Sequence, residues 1–348
     1  MKKLHAGIIG QGRSGYDIHA YVMGLLPGKF KIAAVADPLE DRRDFAIKTL
    51  GCEAYADYKD MFKRSDLDLI INATPSHLHP PVTIEALEAG FNVLCEKPAA
   101  RYVADFDKMV AAAKKSGNTL AIYQQSRFAP YFQQVRKVID SGVLGRIVMV
   151  KIAFNGYGRR WDWQTLQEFS GGNLLNTGPH PLDQALQLFG TDIMPEVKCI
   201  MDRTNTFGDA EDHVKLLLTG KDRPTIDLEI SSCSAYTTNI YEVYGTRGAL
   251  AGNSDHLEWK FYNPEEMPPR ELIREPMPDR QYCSEKMIWH TNKWNLPKSK
   301  SDWFGVMGKA LYNNLHDALT KGTPLIVKLD EVRRQIEVIE EAHRQNKL

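Results

Sequence analysis

Residues 4–15 read LHAGIIGQGRSG, and this stretch decides the fold of the first part of the chain. Its apolar opening ends at three glycines, Gly10, Gly12 and Gly15, which follow the pattern G-x-G-x-x-G. The pattern predicts a strand, a tight turn and a helix. The first glycine permits the turn, the second lets backbone approach a pyrophosphate group, and the third lets the helix pack closely on the strand. The helix N-terminus would then face the phosphates.

A carboxylate follows the next apolar run at the position that a dinucleotide-binding unit requires. Residues 32–36 are apolar and end at Asp37, close to the offset of about 20 residues expected for an acid that binds the ribose 2′-hydroxyl. Because this carboxylate would repel a 2′-phosphate, the sequence favours NAD over NADP, although Arg42 and Arg43 weaken the preference. A glycine-rich turn without a ligand is the alternative, and the strand, helix and acid around it argue against that. The predicted cofactor contacts here are Gly10, Gln11, Gly12, Arg13, Ser14, Gly15 and Asp37.

Composition argues against several classes of protein. The chain has 348 residues, a length typical of two domains. Acidic and basic residues number 44 each, so a basic nucleic-acid-binding face is not expected. No segment reaches the roughly 18 apolar residues of a membrane span. The cysteines lack a C-x-x-C pair, which favours reduced thiols in a cytoplasmic protein and no metal site. They are Cys52, Cys95, Cys199, Cys233 and Cys283.

Helical and strand-like runs alternate to about residue 125, and beyond that point the alternation is lost. The first part predicts an α/β fold, a doubly wound parallel sheet of the Rossmann type over residues 1–125. The second part contains consecutive strand-like runs with short turns, which predict an antiparallel or mixed sheet. These runs cover 196–203, 213–219, 225–232 and 240–244.

The second domain is predicted to be α+β and to occupy residues 126–348. Residues 262–300 are rich in proline and charge and are predicted to form a long loop. An amphipathic helix over 330–345 closes the chain. This last helix is predicted to pack back on the first domain.

A lysine stands at the sheet edge where ligands bind. The strand-like residues 91–95 run into Glu96-Lys97-Pro98, and the proline removes a backbone donor and fixes the turn. In an open α/β sheet the carboxyl ends of the strands border the ligand crevice. Lys97 is therefore predicted to contact the substrate oxygen and the nicotinamide ribose. The alternative is a surface lysine in a turn.

A second polar group contains a candidate base. Asn176 and His180 are four residues apart, which helical spacing places on one face, and Asp183 follows three residues later. A histidine titrates near neutral pH, so His180 can take a hydroxyl proton while the neighbouring carbon gives up hydride. The alternatives are a capping asparagine, a structural histidine and an exposed aspartate.

Together these motifs resemble the glucose–fructose oxidoreductase and inositol dehydrogenase family, Gfo/Idh/MocA. The resemblance implies a Rossmann domain joined to an open, mostly antiparallel sheet domain, which commonly forms the interface of a homodimer or homotetramer. It also implies that Lys97 and His180 are catalytic. The segments that carry it are the glycine pattern, Thr74-Pro75 with His79, Glu96-Lys97-Pro98, Arg127-Phe128-x-Pro130, residues 171–183 and the terminal helix. The further residues that it places beside the cofactor are Thr74, Pro75, His79, Glu96, Lys97 and Gln125.

One position departs from the family pattern. The family often has aspartate four residues before the histidine, where this chain has Asn176. A carboxylate there would raise the basicity of His180 and stabilise the imidazolium, whereas an amide orients the ring and does neither as well. Asn176 is therefore predicted to assist catalysis. We also expect either a lower pKa for His180 or a share of the proton transfer for Lys97.

An aromatic and arginine-rich loop follows the first strand of the second domain. Residues 157–164 read YGRRWDWQ, and in the family this region reaches over the nicotinamide. Flat tryptophan faces suit the C–H side of a pyranose, and arginine, aspartate and glutamine can read hydroxyls or a carboxylate. Packing of the tryptophans against their own domain is the alternative. The residues predicted to bind substrate are Tyr157, Arg160, Trp163 and Asp183.

The predicted function is an NAD-dependent dehydrogenase acting on a secondary hydroxyl or carbonyl of a sugar, cyclitol or glycoside. Two other functions stay open. In the first, NAD is a recycled internal catalyst, and transient oxidation permits elimination of a glycosidic group. In the second, the protein is a non-catalytic NAD-binding sensor of redox state, which the presence of both Lys97 and His180 makes less favourable.

Overall fold

The computed structural model describes residues 2–236, 238–276 and 284–346. Cys283 of the predicted thiols lies outside this part of the chain. The strands of the first sheet are β1 (Leu4–Ile9), β2 (Phe30–Ala36), β3 (Glu53–Tyr55), β4 (Leu69–Asn72), β5 (Asn92–Cys95) and β6 (Leu120–Ile122). The helices of the same region are α1 (Tyr21–Gly24), α2 (Glu40–Leu50), α3 (Tyr58–Met61), α4 (His79–Glu88) and α5 (Val103–Ser116).

The first sheet has the order β3-β2-β1-β4-β5-β6, and every neighbouring pair is parallel. Its central strands are apolar and almost fully buried, as expected for strands with helices on both faces. The strand order reverses between β1 and β4, so a crevice opens at their carboxyl ends. The predicted Rossmann sheet is therefore confirmed. A wide π-helical segment, Ser14–Ala20, leads into α1 and replaces the single regular helix that was expected.

The second sheet has eight strands in the order β14-β13-β12-β11-β7-β10-β9-β8. Only β7 and β10 are parallel neighbours, so the predicted mixed, mostly antiparallel sheet is confirmed. Its first strands are β7 (Ile147–Asn155), β8 (Glu196–Asp202), β9 (His213–Thr219) and β10 (Thr225–Ser231). The remaining strands are β11 (Tyr241–Gly245), β12 (Gly248–Gly252), β13 (His256–Phe261) and β14 (His290–Asn295).

The predicted long loop over 262–300 is wrong at residues 290–295. These residues form β14, which pairs with β13 along its whole length. Their sequence, HTNKWN, is polar because this edge strand is largely exposed, so it lacks the apolar alternation that marks a strand. Residues 277–283 of the predicted loop lie outside the described part of the chain.

Two long C-terminal helices join the two halves of the molecule. The later helices are α6 (Pro130–Asp140), α7 (Asn173–Asn176), α8 (Pro179–Phe189), α9 (Trp303–Lys321) and α10 (Leu329–Gln345). Helix α9 inserts Tyr312 beside Phe30 in the core of the first sheet. Helix α10 places Ile336 in a core of the first half and Ile339 in the core of the second. The last helix thus packs back on the first domain, while a boundary at residue 125 stays a prediction.

The outer edge of β8 is covered by side-chain amides from the end of α10. Gln345 donates to the carbonyl of Val197 at 2.8 Å and accepts from the amide of Cys199 at 2.9 Å. Asn346 accepts from the amide of Met201 at 3.0 Å and donates to the carbonyl of Cys199 at 3.2 Å. These amides mimic a neighbouring strand and so protect the edge from pairing with another chain.

Replacing both amides with alanine, Gln345→Ala with Asn346→Ala, should lower the free energy of unfolding by about 2 kcal/mol, since several hydrogen bonds of about 0.5–1.5 kcal/mol each are lost. The exposed edge should also promote aggregation, measured as light scattering after urea unfolding and dilution. The control is Arg344→Ala, which removes only an exposed pair with Glu341. A double variant as stable and as soluble as Arg344→Ala would contradict this account.

Candidate active site

The glycine turn is shaped by two glycines that tolerate no side chain. A Cβ on Gly10 would lie 2.4 Å from the carbonyl oxygen of Ala73, and Gly10 has a φ of +90°. A Cβ on Gly15 would lie 1.8 Å from the carbonyl oxygen of Gly10. A Cβ on Gly12, in contrast, would meet only Arg42 within 4 Å, at 3.6 Å from Nη1. The backbone at Gly12 therefore faces open space, as a pyrophosphate cradle requires.

Asp37 holds this turn against β2. Its carboxylate is 2 % exposed and accepts hydrogen bonds from the amide of Gln11 at 2.7 Å and the amide of Leu39 at 2.9 Å. Arg42 lies 3.3 Å from the same carboxylate. The sequence predicted a carboxylate free to bind ribose, whereas the structure gives Asp37 a structural task as well. Arg13 is exposed and Ser14 half-buried at the start of the π-helical segment.

The loop after β4 carries the next predicted cofactor residues. Thr74 bonds through its amide and hydroxyl to the side-chain oxygen of Asn72, and Pro75 is exposed. His79 lies behind this loop: its ring nitrogens are 2.7 Å from the carbonyl of Pro98 and 2.9 Å from that of Thr74. Because His79 is also 2 % exposed, its predicted place beside the cofactor is corrected to support of the loop.

Glu96 lies buried behind Lys97. One oxygen accepts from the amide of Lys97 at 2.9 Å, and the other is 3.1 Å from the His19 ring. Burial raises the pKa of Glu96, but the His19 ring and the Lys97 ammonium more than offset this and bring the pKa to about 2. The His19 ring is held on its other side by Tyr312 at 2.8 Å. Glu96 is therefore an ionised residue that positions the loop rather than one that faces a ligand.

Lys97 joins the two halves of the site. Its Nζ donates to the main-chain carbonyl of Asn176 at 2.8 Å. Burial lowers the pKa of Lys97; Glu96 raises it, while Arg13 and Arg160 lower it further. The net effect favours loss of the proton, so Lys97 can exchange a proton more readily than an exposed lysine. Lys97 therefore lies against the segment that carries Asn176 and His180.

His180 lies at the start of α8, where the positive charge of Lys97 affects its pKa. Burial, and then the positive charge of Lys97, lower the pKa of His180 to about 3, so the ring is neutral at pH 7. In the described part of the chain, its buried Nδ1 has no hydrogen-bond partner. The Asn176 side chain accepts from Gln164 at 3.1 Å, and no hydrogen bond joins it to His180 within those residues. Orientation of the ring by Asn176 is therefore not observed.

The loop over residues 156–170 covers the cleft. Arg101 donates to the carbonyl of Gln167 at 2.7 Å, and the rings of His77 and Phe169 are 4.9 Å apart, so the loop docks on the first half. Trp161 is 80 % exposed, which argues against packing of this tryptophan into its own domain. Of the predicted substrate ligands on this loop, Tyr157 is exposed and Arg160 and Trp163 are half-buried.

Gln164 is not among the predicted substrate ligands, although the sequence indicated that a glutamine in this loop can bind a hydroxyl. It accepts from the Arg160 guanidinium and donates to the Asn176 side chain. Because Asn176 accepts from Lys97 through its carbonyl, Gln164 completes a hydrogen-bonded path from the covering loop to Lys97. Only its place in the aromatic loop could have drawn attention to it.

Asp183 is not at the site, which corrects its prediction as a substrate ligand. Both of its oxygens accept from the guanidinium of Arg127, with Nε at 3.0 Å. Arg127 also bonds to Glu331 on α10, so three charged side chains form a buried cluster beneath α8. Gln125, by contrast, is buried with its side-chain oxygen free of partners among the described residues, which suits a cofactor contact.

Comparison with known proteins agrees with this geometry. Residues 4–124 match the Gfo/Idh/MocA oxidoreductase family model with an NAD-binding Rossmann fold, and residues 132–251 match the model of the family's C-terminal domain. The chain is 31 % identical over 261 residues to 2,7-anhydro-N-acetylneuraminate hydratase of Mediterraneibacter gnavus, covering 72 % of this chain and 67 % of the relative.

The chain belongs to the Gfo/Idh/MocA family of NAD-dependent oxidoreductases. It is also 31 % identical over 169 residues to inositol 2-dehydrogenase of Salmonella paratyphi B, covering 48 % of each chain. The structure of an NAD-binding protein from Listeria innocua has the same fold, with a TM-score of 0.82 at 24 % identity, over 99 % of this chain and 97 % of that one.

The cofactor of this Gfo/Idh/MocA protein is NAD, and the residues present fit it. The open backbone at Gly12 and the unpartnered side-chain oxygens of Gln11 and Gln125 offer contacts along the crevice. Among the described residues, no helix is long and apolar enough to cross a membrane. The same residues contain no cluster of three metal-binding side chains.

The low pKa of His180 predicts a pH-dependent stability. A histidine in the unfolded chain has a pKa near 6.5. Between about pH 6.5 and 3 the unfolded state therefore binds a proton at His180, whereas the native ring stays unprotonated. The free energy of unfolding is therefore unaffected by this group above pH 6.5 and decreases as the pH falls from 6.5 toward 3. His180→Asn should therefore lose stability less steeply than the wild type from pH 6.5 to 4.5, measured by urea unfolding. Parallel slopes would show that the ring is not desolvated as described.

Proposed function

We propose that this protein is an NAD-dependent dehydrogenase that acts on a secondary hydroxyl or carbonyl of a sugar, cyclitol or glycoside. The observation that carries the proposal is the contact of Lys97 with the end of α7, together with the effect of its charge on His180 at the start of α8. Lys97 lies at the carboxyl end of β5 on the nucleotide sheet, and its Nζ contacts the carbonyl of Asn176. A cation and a neutral imidazole thus border the edge where the nicotinamide would lie, which is the pair of groups that oxidation of an alcohol needs.

The two side chains divide the work on the substrate oxygen. Lys97 donates a hydrogen bond to that oxygen and stabilises the negative charge that develops on it. His180 accepts the hydroxyl proton, since its low pKa keeps the ring neutral over the physiological range. A ring with a pKa of about 3 is a weak base, so Lys97, whose own pKa is lowered, shares the proton. When bound, NAD takes up the hydride released from the carbon.

The covering loop supplies the proposed substrate contacts. Tyr157, Arg160 and Trp163 stand on it, and the names of two relatives, an anhydro-N-acetylneuraminate hydratase and an inositol dehydrogenase, support a carbohydrate or cyclitol. The resemblance further suggests that the open face of the second sheet forms the interface of a homodimer or homotetramer. Sedimentation of the purified protein tests this, because a monomer at micromolar concentration would exclude it.

The test of the dehydrogenase is direct. The purified protein is mixed with NAD and a panel of inositols, free sugars and glycosides, and NADH is followed by its absorbance. We expect NADH from at least one member of the panel and none from the Lys97→Met variant. Tight binding of NAD without consumption of any compound would favour the non-catalytic sensor instead.

A second candidate is redox-neutral cleavage or hydration. The relative named as a hydratase supports it, as do two groups of lowered pKa beside the proposed reaction centre. Bound NAD would supply a transient oxidation that makes the proton next to the new carbonyl acidic. A base would remove that proton as the C–O bond at the next carbon breaks and its oxygen leaves with the electron pair. Water would add to the resulting double bond, and return of the hydride would leave no net oxidation. Product formation without net NADH, together with uptake of solvent deuterium at the neighbouring carbon, would identify this reaction. Net NADH would identify the dehydrogenase.

A further inference from the structure

We infer that His19 is a positioning residue for Lys97: it holds the buried carboxylate of Glu96 in place behind Lys97, and Tyr312 holds His19 in turn. The inference rests on the proposed function in one respect, namely that Lys97 stabilises the reacting oxygen. Its test follows the Lys97 side chain directly and needs no substrate.

A chain of three side chains, each at most 3 % exposed, reaches Lys97 from the core of the first half. The Tyr312 hydroxyl on α9 lies 2.8 Å from Nδ1 of His19, and Nε2 of His19 lies 3.1 Å from one oxygen of Glu96. The other oxygen of Glu96 accepts from the amide of Lys97 at 2.9 Å. Among the described residues, neither oxygen forms a close ion pair with the Lys97 Nζ, which bonds instead to the carbonyl of Asn176.

The π-helical segment after the glycine turn sets the direction of His19. The amide of Tyr21 bonds to the carbonyl of Tyr16, five residues before it, so this turn holds one residue more than an α-helical turn. The additional residue rotates His19 relative to its direction in a regular α-helix. Turns of this kind are rare and frequently lie at functional sites. A turn that directs a buried imidazole at the carboxylate behind Lys97 indicates a functional role for His19 as well as a packing role.

The charge of Glu96 transmits this contact to Lys97. Burial raises the pKa of Glu96, and the His19 ring is the largest of the influences that lower it, so that the pKa is about 2. Burial lowers the pKa of Lys97, and Glu96 is the group that raises it. An apolar side chain in place of His19 would leave one buried oxygen of Glu96 without its partner, which favours the protonated carboxyl. Lys97 would then lose the negative charge that favours its ammonium form.

Other titratable groups surround Lys97 and Glu96. Those that face Lys97 are Arg13 from the glycine turn, Arg160 from the covering loop and His180 from α8. Those that face Glu96 are His79, Cys95, Tyr123 and Tyr312. Apart from Tyr312, these groups act on Lys97 or Glu96 without passing through His19, so a substitution of His19 leaves them in place.

The test measures the acid dissociation constant of the Lys97 ammonium by NMR. The full-length protein, saturated with NAD and isotope-labelled at Cε of its lysines, is titrated with alkali, and the resonance missing from Lys97→Met identifies Lys97. We expect His19→Phe to raise this constant by about tenfold or more, and Glu96→Gln to raise it at least as much. In the Glu96→Gln background, His19→Phe should change the constant by less than about threefold, because the path is already interrupted.

His316 supplies the matched control because it is a second buried histidine of the same core. It is 0 % exposed, and its Nε2 lies 2.9 Å from the carbonyl of Lys2 rather than beside Glu96. His316→Phe should change the constant by less than about threefold. Tyr312→Phe, which removes only the hydroxyl beside His19, should raise it by about threefold or more.

A rise of less than tenfold in His19→Phe would overturn the inference, and so would an equal effect of that substitution with and without Glu96→Gln. If His19→Phe does not fold, a rise of less than threefold in Tyr312→Phe would overturn it. Failure of the proposed dehydrogenase is seen separately, as the absence of NADH with every member of the substrate panel.

Discussion

Lys97→Met should lower kcat by about 10³-fold or more while NADH binding stays within about threefold of the wild type. Methionine keeps much of the length of lysine but has neither charge nor donor. The variant therefore lacks the proposed hydrogen bond to the reacting oxygen and the proposed stabilisation of negative charge there. The glycine turn is separate from this contact, since Gly10 packs on the backbone of Ala73 after β4 and Gly15 packs on the backbone of Gly10. The loss should thus appear in kcat and not in cofactor affinity.

The matched control is Asn176→Ala. Lys97 bonds to the main-chain carbonyl of Asn176, which alanine retains, while the side chain bonds only to Gln164 within the described residues. We expect less than about a tenfold loss of kcat from this variant, equivalent to one hydrogen bond. Turnover is measured as NADH formation on whichever substrate the panel identifies, and binding as NADH fluorescence. If Lys97→Met kept more than a tenth of wild-type kcat, Lys97 would not stabilise the reacting oxygen.

Local patterns in the sequence were enough to predict the nucleotide half. The glycines of the turn, the apolar runs of the strands and the lysine after β5 are each recognised from a short stretch of sequence, and the parallel sheet follows from their order. The edge strand β14 was missed for a physical reason. An exposed strand is held by backbone hydrogen bonds to β13, and its side chains carry no apolar alternation that a sequence pattern could use.

Side chains of the site depend on contacts that are distant in sequence. The partners of Asp183 are Arg127 and, through it, Glu331, which no local spacing brings together. The spacing of His180 and Asp183 on one helix suggested a shared site, but three residues along a helix separate a ring in the cleft from a carboxylate in the core. Likewise, the sequence indicated that the Asn176 side chain orients His180. In the structure, the main-chain carbonyl of Asn176 accepts a hydrogen bond from Lys97.

Removing the charge at the centre of that buried cluster should have the largest effect on stability. Arg127→Met should lower the free energy of unfolding by about 3–5 kcal/mol, because two buried carboxylates, Asp183 and Glu331, would lose their cation. Burial already raises the pKa of Asp183 although Arg127 opposes this, so its desolvation is only partly offset in the wild type. Helix α10 would lose its link to α8 through Glu331. Urea unfolding followed by circular dichroism measures the change.

A charge pair between α10 and α5 supplies the control. Arg333 makes a comparable two-pronged contact with Asp107, but both side chains are nearly half exposed. Arg333→Met should cost no more than about 1 kcal/mol, because water screens the pair and solvates the carboxylate left behind. Adding Asp183→Leu and Glu331→Gln to Arg127→Met should recover part of the loss, since apolar or neutral groups need no counter-charge. If Arg127→Met cost no more than Arg333→Met, the cluster would not be desolvated. The coupling of α10 to α8 would then come from apolar packing and from the hydrogen bonds of Arg334 and Gln335 to the carbonyls of Leu186 and Pro179.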